Sequence, residues 1–171
     1  MLSTLLIAAP WLAFSVLVAT VVVGPFVGVW LAVRPRTTAV LLGLAVLAVL
    51  VLTLYPDGAP YQTVTCNPGL PYLAPTAVES TANILLFVPL SLLAGVLWRR
   101  PVVAVIGAVA LSGAVELLQA VVLVIGRACD TSDWITNTIG AVVGGVLAAT
   151  AVAWHRRRTR SRTSSPTRDS P

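Results

Sequence analysis

A polar stretch, GRACDTSDWITNTIG at residues 126–140, interrupts a sequence otherwise dominated by Val, Ala, Leu and Gly. It carries Arg127, Asp130, Asp133 and Asn137, whose side chains are hydrogen-bonding groups suited to phosphate, carboxylate or amide partners. The planar guanidinium of Arg127 can donate a pair of parallel hydrogen bonds to one carboxylate or phosphate. The stretch therefore indicates a binding site for a polar or anionic group, or a set of charges that neutralise one another.

Glu116 and Gln119 precede this stretch and lie three positions apart, so they share one face of a predicted helix. Glu116 lies nine residues before the end of its apolar segment, which places it on the order of 14 Å below the end of the helix. A carboxylate facing lipid near the membrane centre costs roughly 3 kcal/mol. We therefore expect Glu116 to face the helix bundle and to have a partner there or stay protonated, with Arg127 as the natural partner of Glu116, Asp130 or Asp133.

Several of these polar residues also have a purely structural interpretation. Asp133 immediately precedes the fifth apolar segment, where Asp is a favoured N-cap, and Asp130 could cap a short turn. Asn83, in the third segment, and Asn137 could form hydrogen bonds between helices, each contributing about 1 kcal/mol. For Glu116, a structural ion pair and a functional site remain alternatives.

The elements that must position these residues are membrane-spanning helices. Of the 171 residues, 57% are hydrophobic and only 10% are charged, whereas a soluble domain has roughly 25% charged residues. A helix of about 20 apolar residues crosses the hydrocarbon layer, and a backbone within lipid must satisfy its own hydrogen bonds. We predict an all-α polytopic membrane bundle of five transmembrane helices, covering approximately residues 5–33, 38–55, 81–98, 101–125 and 134–154.

The arginines predict the orientation of this bundle. Ten of the eleven basic residues lie between the first and second segments, between the third and fourth, or after the fifth. The excess of positive charge in cytoplasmic loops then predicts an N-terminus outside and a C-terminus in the cytoplasm. Arg127 is the exception and lies on the predicted outer side.

The chain divides into a transmembrane bundle at 1–154 and a basic tail at 155–171, which its polar composition predicts to be disordered and cytoplasmic. Basic residues beside a span are typical of a topology signal and of contact with anionic membrane lipid. We therefore expect membrane lipid, and not nucleic acid, as the partner of the tail.

Cys66 and Cys129 both fall on the predicted outer side, in a compartment that permits disulfides. A bond between them would tie the long second loop over the polar residues; the sequence leaves both the paired and the free states open. With no CxxC motif and no paired His, we expect no metal site, and no motif indicates a cofactor. Gly140 and Gly144 form a small-xxx-small face that predicts close helix packing.

The order of these residues resembles the VanZ-like family over about residues 38–154. The matching elements are N-x3-F-x-P, E-x2-Q and R-x2-D-x2-D-x3-N-x2-G-x3-G, at Asn83, Phe87, Pro89, Glu116, Gln119, Arg127, Asp130, Asp133, Asn137, Gly140 and Gly144. Two departures stand inside the last element. Cys129 replaces the family's usual aromatic or aliphatic residue, and Thr131 with Ser132 makes the segment between the aspartates more polar.

The resemblance implies an integral, multi-pass protein of the bacterial plasma membrane and cell envelope. The family's named member is associated with lowered susceptibility to the glycopeptide antibiotic teicoplanin, so the resemblance also implies a role in antibiotic resistance. It does not imply a mechanism, an oligomeric state or a ligand.

The favoured hypothesis is a polar pocket that binds an anionic or lipid-linked cell-wall component. Arg127 would hold a phosphate or carboxylate, Glu116 and Gln119 would line the pocket, and Asp130 and Asp133 would orient the arginine. One alternative is a membrane enzyme acting on a lipid-linked cell-wall intermediate, with Glu116 as general acid or base. It is disfavoured because the sequence offers no activated nucleophile.

Two further alternatives remain. A small proton-coupled transporter would use intramembrane Glu and Asn side chains, but five spans are few and no inverted repeat is visible. The other is a structural or chaperone-like role within the membrane.

Overall fold

The fold is described from a computed structural model, which covers residues 11–56 and 63–163 of the chain. Within these ranges the long helices are α1 (Trp11–Leu31), α2 (Pro35–Leu54), α3 (Val78–Trp98), α4 (Pro101–Val121) and α5 (Thr131–Thr163). All five are long and apolar enough to cross a membrane. The predicted all-α bundle of five spans is confirmed, while its orientation in the membrane stays a prediction.

The ends of the helices follow local sequence signals. Pro35 and Pro101 occupy the first turns of α2 and α4, where the missing N–H of proline leaves no hydrogen bond broken. After α3, Arg99 adopts a left-handed conformation with φ 54°, a common way for a helix to end. The chain therefore turns from α3 into α4 through Arg99 and Arg100 alone.

The end of α5 differs from the prediction. The sequence predicted disorder from His155 onwards, but the helix continues through the basic segment to Thr163. Arginine is a good helix former, and cations near a helix C-terminus are favoured by the helix dipole. The Thr159 hydroxyl also donates to the carbonyl oxygens of His155 and Arg156. Helix thus replaces the predicted disorder over 155–163, and residues 164–171 lie outside the described part.

The two central helices of the bundle are α3 and α5. Their membrane-spanning windows are 61% and 56% buried, against 17% for α1 and 11% for α2. Although α1 and α2 are consecutive, they barely touch each other, and each packs mainly on the central pair. A tight helix pair therefore forms the core, and the outer helices present apolar faces to the surrounding lipid.

The contact between α3 and α5 depends on two glycines. A methyl group added at Gly140 would meet the carbonyl oxygen of Ile84, and one added at Gly144 would meet that of Val88. The backbones of the two helices therefore lie directly against each other, as small residues permit in membranes. This seam fixes the distance between the polar residues that α3 and α5 carry above it.

A small strand pairing closes one end of the bundle. Strand β1 (Cys66–Asn67) runs parallel to β2 (Cys129–Asp130), and Cys66 and Cys129 are joined by a disulfide. The sequence had indicated no strand, because a pairing of two residues leaves no alternating pattern. Below, the end that carries Arg127 is the polar end, and the opposite end, with Arg34, Arg99 and Arg156, is the basic end.

Candidate functional site

Glu116 and Asp130 are connected at the polar end through the backbone. A carboxylate oxygen of Glu116, on α4, accepts a hydrogen bond of 2.8 Å from the backbone amide of Asp130. The Asp130 carboxylate in turn accepts one of 2.7 Å from the amide of Ser132, in the first turn of α5. Because α5 begins at Thr131, Asp130 is its N-cap. The predicted N-cap, Asp133, instead lies within the first turn.

Asp133 connects α5 to α3. Its carboxylate accepts a hydrogen bond of 2.7 Å from the side-chain amide of Asn83, which lies 50 positions earlier in the chain. The guanidinium of Arg127 and the carboxylates of Asp130 and Glu79 are close enough to interact with Asp133 electrostatically. Asp133 is therefore the point at which the third and fifth helices and the loop between α4 and α5 meet.

Glu79 belongs to this cluster although the sequence analysis did not select it. It lies in the first turn of α3, where an acidic side chain is favoured by the helix dipole. A signal was present: Glu79 precedes Asn83 by four positions, so the two side chains share one helix face. An exposed acidic side chain at the start of a helix is common, so the sequence alone did not indicate that Glu79 lies near Asp133.

The charges of the polar end are unequal. The polar cluster consists of four carboxylates, from Glu79, Glu116, Asp130 and Asp133, and one guanidinium, from Arg127. Interactions among Glu116, Asp130 and Asp133 place these three acids in one electrostatic environment. Arg127 is half-buried beside them, and the sequence contains no other basic residue outside the basic end and the tail.

Gln119 and Asn137 form hydrogen bonds between helices next to the polar cluster. Gln119 donates a hydrogen bond of 2.8 Å to the carbonyl oxygen of Thr53 on α2, and Asn137 donates one of 3.0 Å to the hydroxyl of Ser112 on α4. Both are buried, with 6% and 3% of their surface exposed. The side-chain oxygen of Asn137 accepts no hydrogen bond from any described residue. The predicted lining residue Gln119 thus serves to join α4 to α2.

The long loop between α2 and α3 is fastened over the polar cluster. Besides the disulfide, the Thr131 hydroxyl accepts a hydrogen bond of 2.7 Å from the amide of Gly69 and donates one of 2.8 Å to its carbonyl. Thr131 is one of the residues that depart from the family pattern. Its hydroxyl, together with Cys129, therefore gives this chain a tether for the loop.

The arrangement offers two kinds of recognition. Carboxylates accept hydrogen bonds from hydroxyl, amide or ammonium groups, and a guanidinium donates them to phosphate or carboxylate. Among residues 11–56 and 63–163, no three His, Cys, Asp or Glu side chains are placed to hold a metal ion.

Five apolar spans around a buried polar end define a multi-pass membrane protein. Comparison with protein families gives a match to the VanZ/LLP1 family over residues 11–153. The match covers most of the chain, and the protein belongs to this family. It begins at residue 11 and not at 38, so α1 is part of the family region. Comparisons with curated proteins and with solved structures found no match.

Proposed function

We propose that this VanZ-like membrane protein lowers susceptibility to glycopeptide antibiotics, teicoplanin in particular, by binding a component of the bacterial cell envelope at its polar end. The observation that carries the proposal is the clustering of Glu79, Glu116, Asp130 and Asp133 at the polar end, with Arg127 close enough to Asp133 to interact electrostatically. Charged groups near the membrane are costly.

The balance of charge favours one class of ligand. The polar end holds four acidic side chains and one guanidinium, so its hydrogen-bond acceptors outnumber its cationic donors and a lone phosphate or carboxylate fits poorly. A lipid-linked cell-wall component fits better, because it can offer an anionic group to Arg127 and hydroxyl or amide donors to the carboxylates. Its lipid part would lie in the bilayer beside the bundle, which holds the polar part at the membrane surface.

Antibiotic susceptibility of a host strain tests this proposal. The strain would express the wild type, Arg127→Ala or Glu116→Gln, with protein levels in the membrane matched, and inhibitory concentrations of teicoplanin and vancomycin would be measured. We expect the wild type to raise the inhibitory concentration of teicoplanin several-fold. Both variants should lose this protection, because one loses the guanidinium donor and the other replaces the carboxylate that accepts from the Asp130 amide with a neutral, weaker acceptor.

Arg156→Ala is the matched control, since it removes an exposed arginine from the basic end and should protect as the wild type does. A wild type without effect on teicoplanin would refute the resistance role. Equal protection by the wild type and by both polar-end variants would show that these residues are structural and that the binding site lies elsewhere.

A second candidate function is supported by the neighbouring carboxylates themselves. Glu116 is half-buried and interacts electrostatically with Asp130 and Asp133, and paired acids of this kind can transfer protons in hydrolysis or group transfer. The test is incubation of the purified protein with a radiolabelled polyprenyl-phosphate-linked sugar. A released product that is absent with Glu116→Gln would favour an enzyme, and unchanged substrate would exclude this reaction.

A further inference from the structure

A large cavity opens at the basic end, far from the polar cluster. Its volume is about 1140 Å³, and it lies between α1 and the last turns of α5. Helix α1 contributes apolar and aromatic side chains, among them Phe26 and Trp30, whereas α5 contributes Trp154, Arg157 and Arg158. The cavity therefore has an apolar wall and a basic wall, at the level where the apolar part of the bundle ends.

The aromatic side chains hold the basic wall in place. Arg158 stacks over the ring of Trp154 at 4.8 Å, and Phe26 meets the same ring edge-on at 5.4 Å between centroids. On α1, Arg34 stacks over Trp30 at 4.0 Å, next to the cavity. Stacking places the flat face of each guanidinium on an aromatic ring. The N–H bonds lie in the plane of the guanidinium, so they point away from the ring and not into it.

Charge at this end is of one sign. None of the described residues that line the cavity is acidic, and the four acidic residues of the described part all lie at the polar end. Phe26 and Trp30 are 59% and 51% exposed. Accessible apolar surface therefore lies next to the positively charged arginines of the cavity. Such a surface complements a molecule with an apolar body and an anionic head.

We infer that this cavity binds one anionic phospholipid, with its phosphate on Arg157 and Arg158 and an acyl chain against Phe26 and Trp30. Arginine binds phosphate with paired hydrogen bonds, and Trp at the membrane interface lies at the level of lipid headgroups. The volume is at the upper end of ligand sites, as a phospholipid requires. This inference is independent of the function proposed for the polar end.

Native mass spectrometry of the full-length protein in detergent tests the inference. The lipid-depleted protein would be titrated with phosphatidylglycerol or with phosphatidylcholine of the same acyl chains. We expect the first phosphatidylglycerol to bind saturably and more tightly than phosphatidylcholine. The double substitution Arg157→Gln with Arg158→Gln should lower this preference about 25-fold, since each arginine near an anionic lipid contributes about fivefold.

Arg156→Gln with Arg160→Gln is the matched control. It removes the same charge from the same helix, but neither residue lines the cavity, so we expect the preference to be largely kept. Equal losses from the two double variants would overturn the inference, because the attraction would then belong to the basic segment as a whole. Equal affinity of the wild type for the two lipids would overturn it as well.

Phe26→Ala probes the apolar wall separately. We expect it to weaken both lipids, and to lower the preference for phosphatidylglycerol by less than the double arginine substitution does, because Phe26 also packs on the Trp154 ring beneath Arg158. Unchanged affinities would show that no acyl chain lies in the cavity, and would refute that part of the inference. Circular dichroism and gel filtration that match the wild type are required of every variant, so that loss of binding is not loss of fold.

Discussion

The two ends of the bundle both carry arginine, but they differ in what surrounds it. At the polar end, half-buried Arg127 lies among carboxylates, with Asp133 close enough to interact. At the basic end, Arg34 and Arg158 stack on tryptophan rings, and no described acidic residue lies beside the cavity. The neighbours of an arginine therefore decide what it can bind. Carboxylates make it part of a polar site, whereas aromatic rings leave its charge available to lipid.

The ends also differ in how they are held together. The polar end is cross-linked by the disulfide and by hydrogen bonds that join α3, α4, α5 and the long loop. The basic end relies on side-chain packing, on the short connections between α1 and α2 and between α3 and α4, and on the hydrogen bond from the buried Thr38 hydroxyl to the Leu31 carbonyl oxygen. Substitutions at the polar end should therefore lower stability strongly, and their effect on hydrogen exchange should stay at that end.

Loss of the disulfide gives the largest expected difference between the ends. Cys66→Ser with Cys129→Ser removes a covalent link between residues 63 positions apart, and disulfides typically contribute about 2 to 4 kcal/mol to the free energy of unfolding. We expect a lower melting temperature in detergent. Hydrogen exchange should accelerate at residues 63–70 and 127–131.

The turn between α3 and α4 is the internal control, because it lies at the basic end and should exchange as in the wild type. Faster exchange at both ends alike would contradict the idea that the polar end is held locally. Trapping of free thiols in the wild type without reductant would contradict the disulfide itself.

Overpacking of the central seam is the next largest effect. Gly140→Ala places a methyl group against the carbonyl oxygen of Ile84, and such overpacking costs about 1 to 3 kcal/mol. Gly107→Ala, on α4, is the matched control because nothing lies within 4 Å of the added methyl group. The control should gain about 0.5 to 1 kcal/mol from helix propensity. Similar melting temperatures of the two variants would refute the close seam.

Coupling between side chains gives the smallest effect. A double-mutant cycle of Asn83→Ala and Asp133→Ala should give a coupling of about 1 to 1.7 kcal/mol, above the average of about 0.6 for hydrogen bonds between membrane helices, because the acceptor is a carboxylate. A cycle of Arg158→Ala and Trp154→Ala should give about 0.5 kcal/mol, because this cation–π pair is largely exposed. Unfolding in denaturing detergent measures both. A larger coupling at the basic end would reverse the comparison.

The sequence predicted the helices well because long apolar segments and prolines are local signals. Pro101 marks the start of α4 as predicted, whereas α2 begins at Pro35, three residues before the predicted start at residue 38, and so includes Arg36. The segment 155–163 was mispredicted, because a polar composition indicates solvation and does not by itself exclude a helix. Assigning the cap to Asp133 and not Asp130 reflects the small uncertainty of helix boundaries read from a sequence.

The polar residues themselves could be selected from the sequence, but their partners could not. Asn83 meets Asp133 across 50 positions, a distance at which the spacing carries no information. Gln119 donates to the backbone carbonyl of Thr53. Every residue has a backbone carbonyl, so the residue type at position 53 could not indicate this contact. The contribution of Glu79 required the position of α3 relative to α5, which only the packing provides.

The length of helix α5 has a structural consequence. It runs without interruption over 33 residues, which at 1.5 Å per residue is roughly 50 Å and exceeds the ~30 Å of hydrocarbon. One continuous element therefore carries Asp133 of the polar cluster and, about six to seven turns later, Trp154 and Arg158 of the cavity at the basic end. The two ends of the bundle are thereby joined through the backbone hydrogen bonds of a single helix.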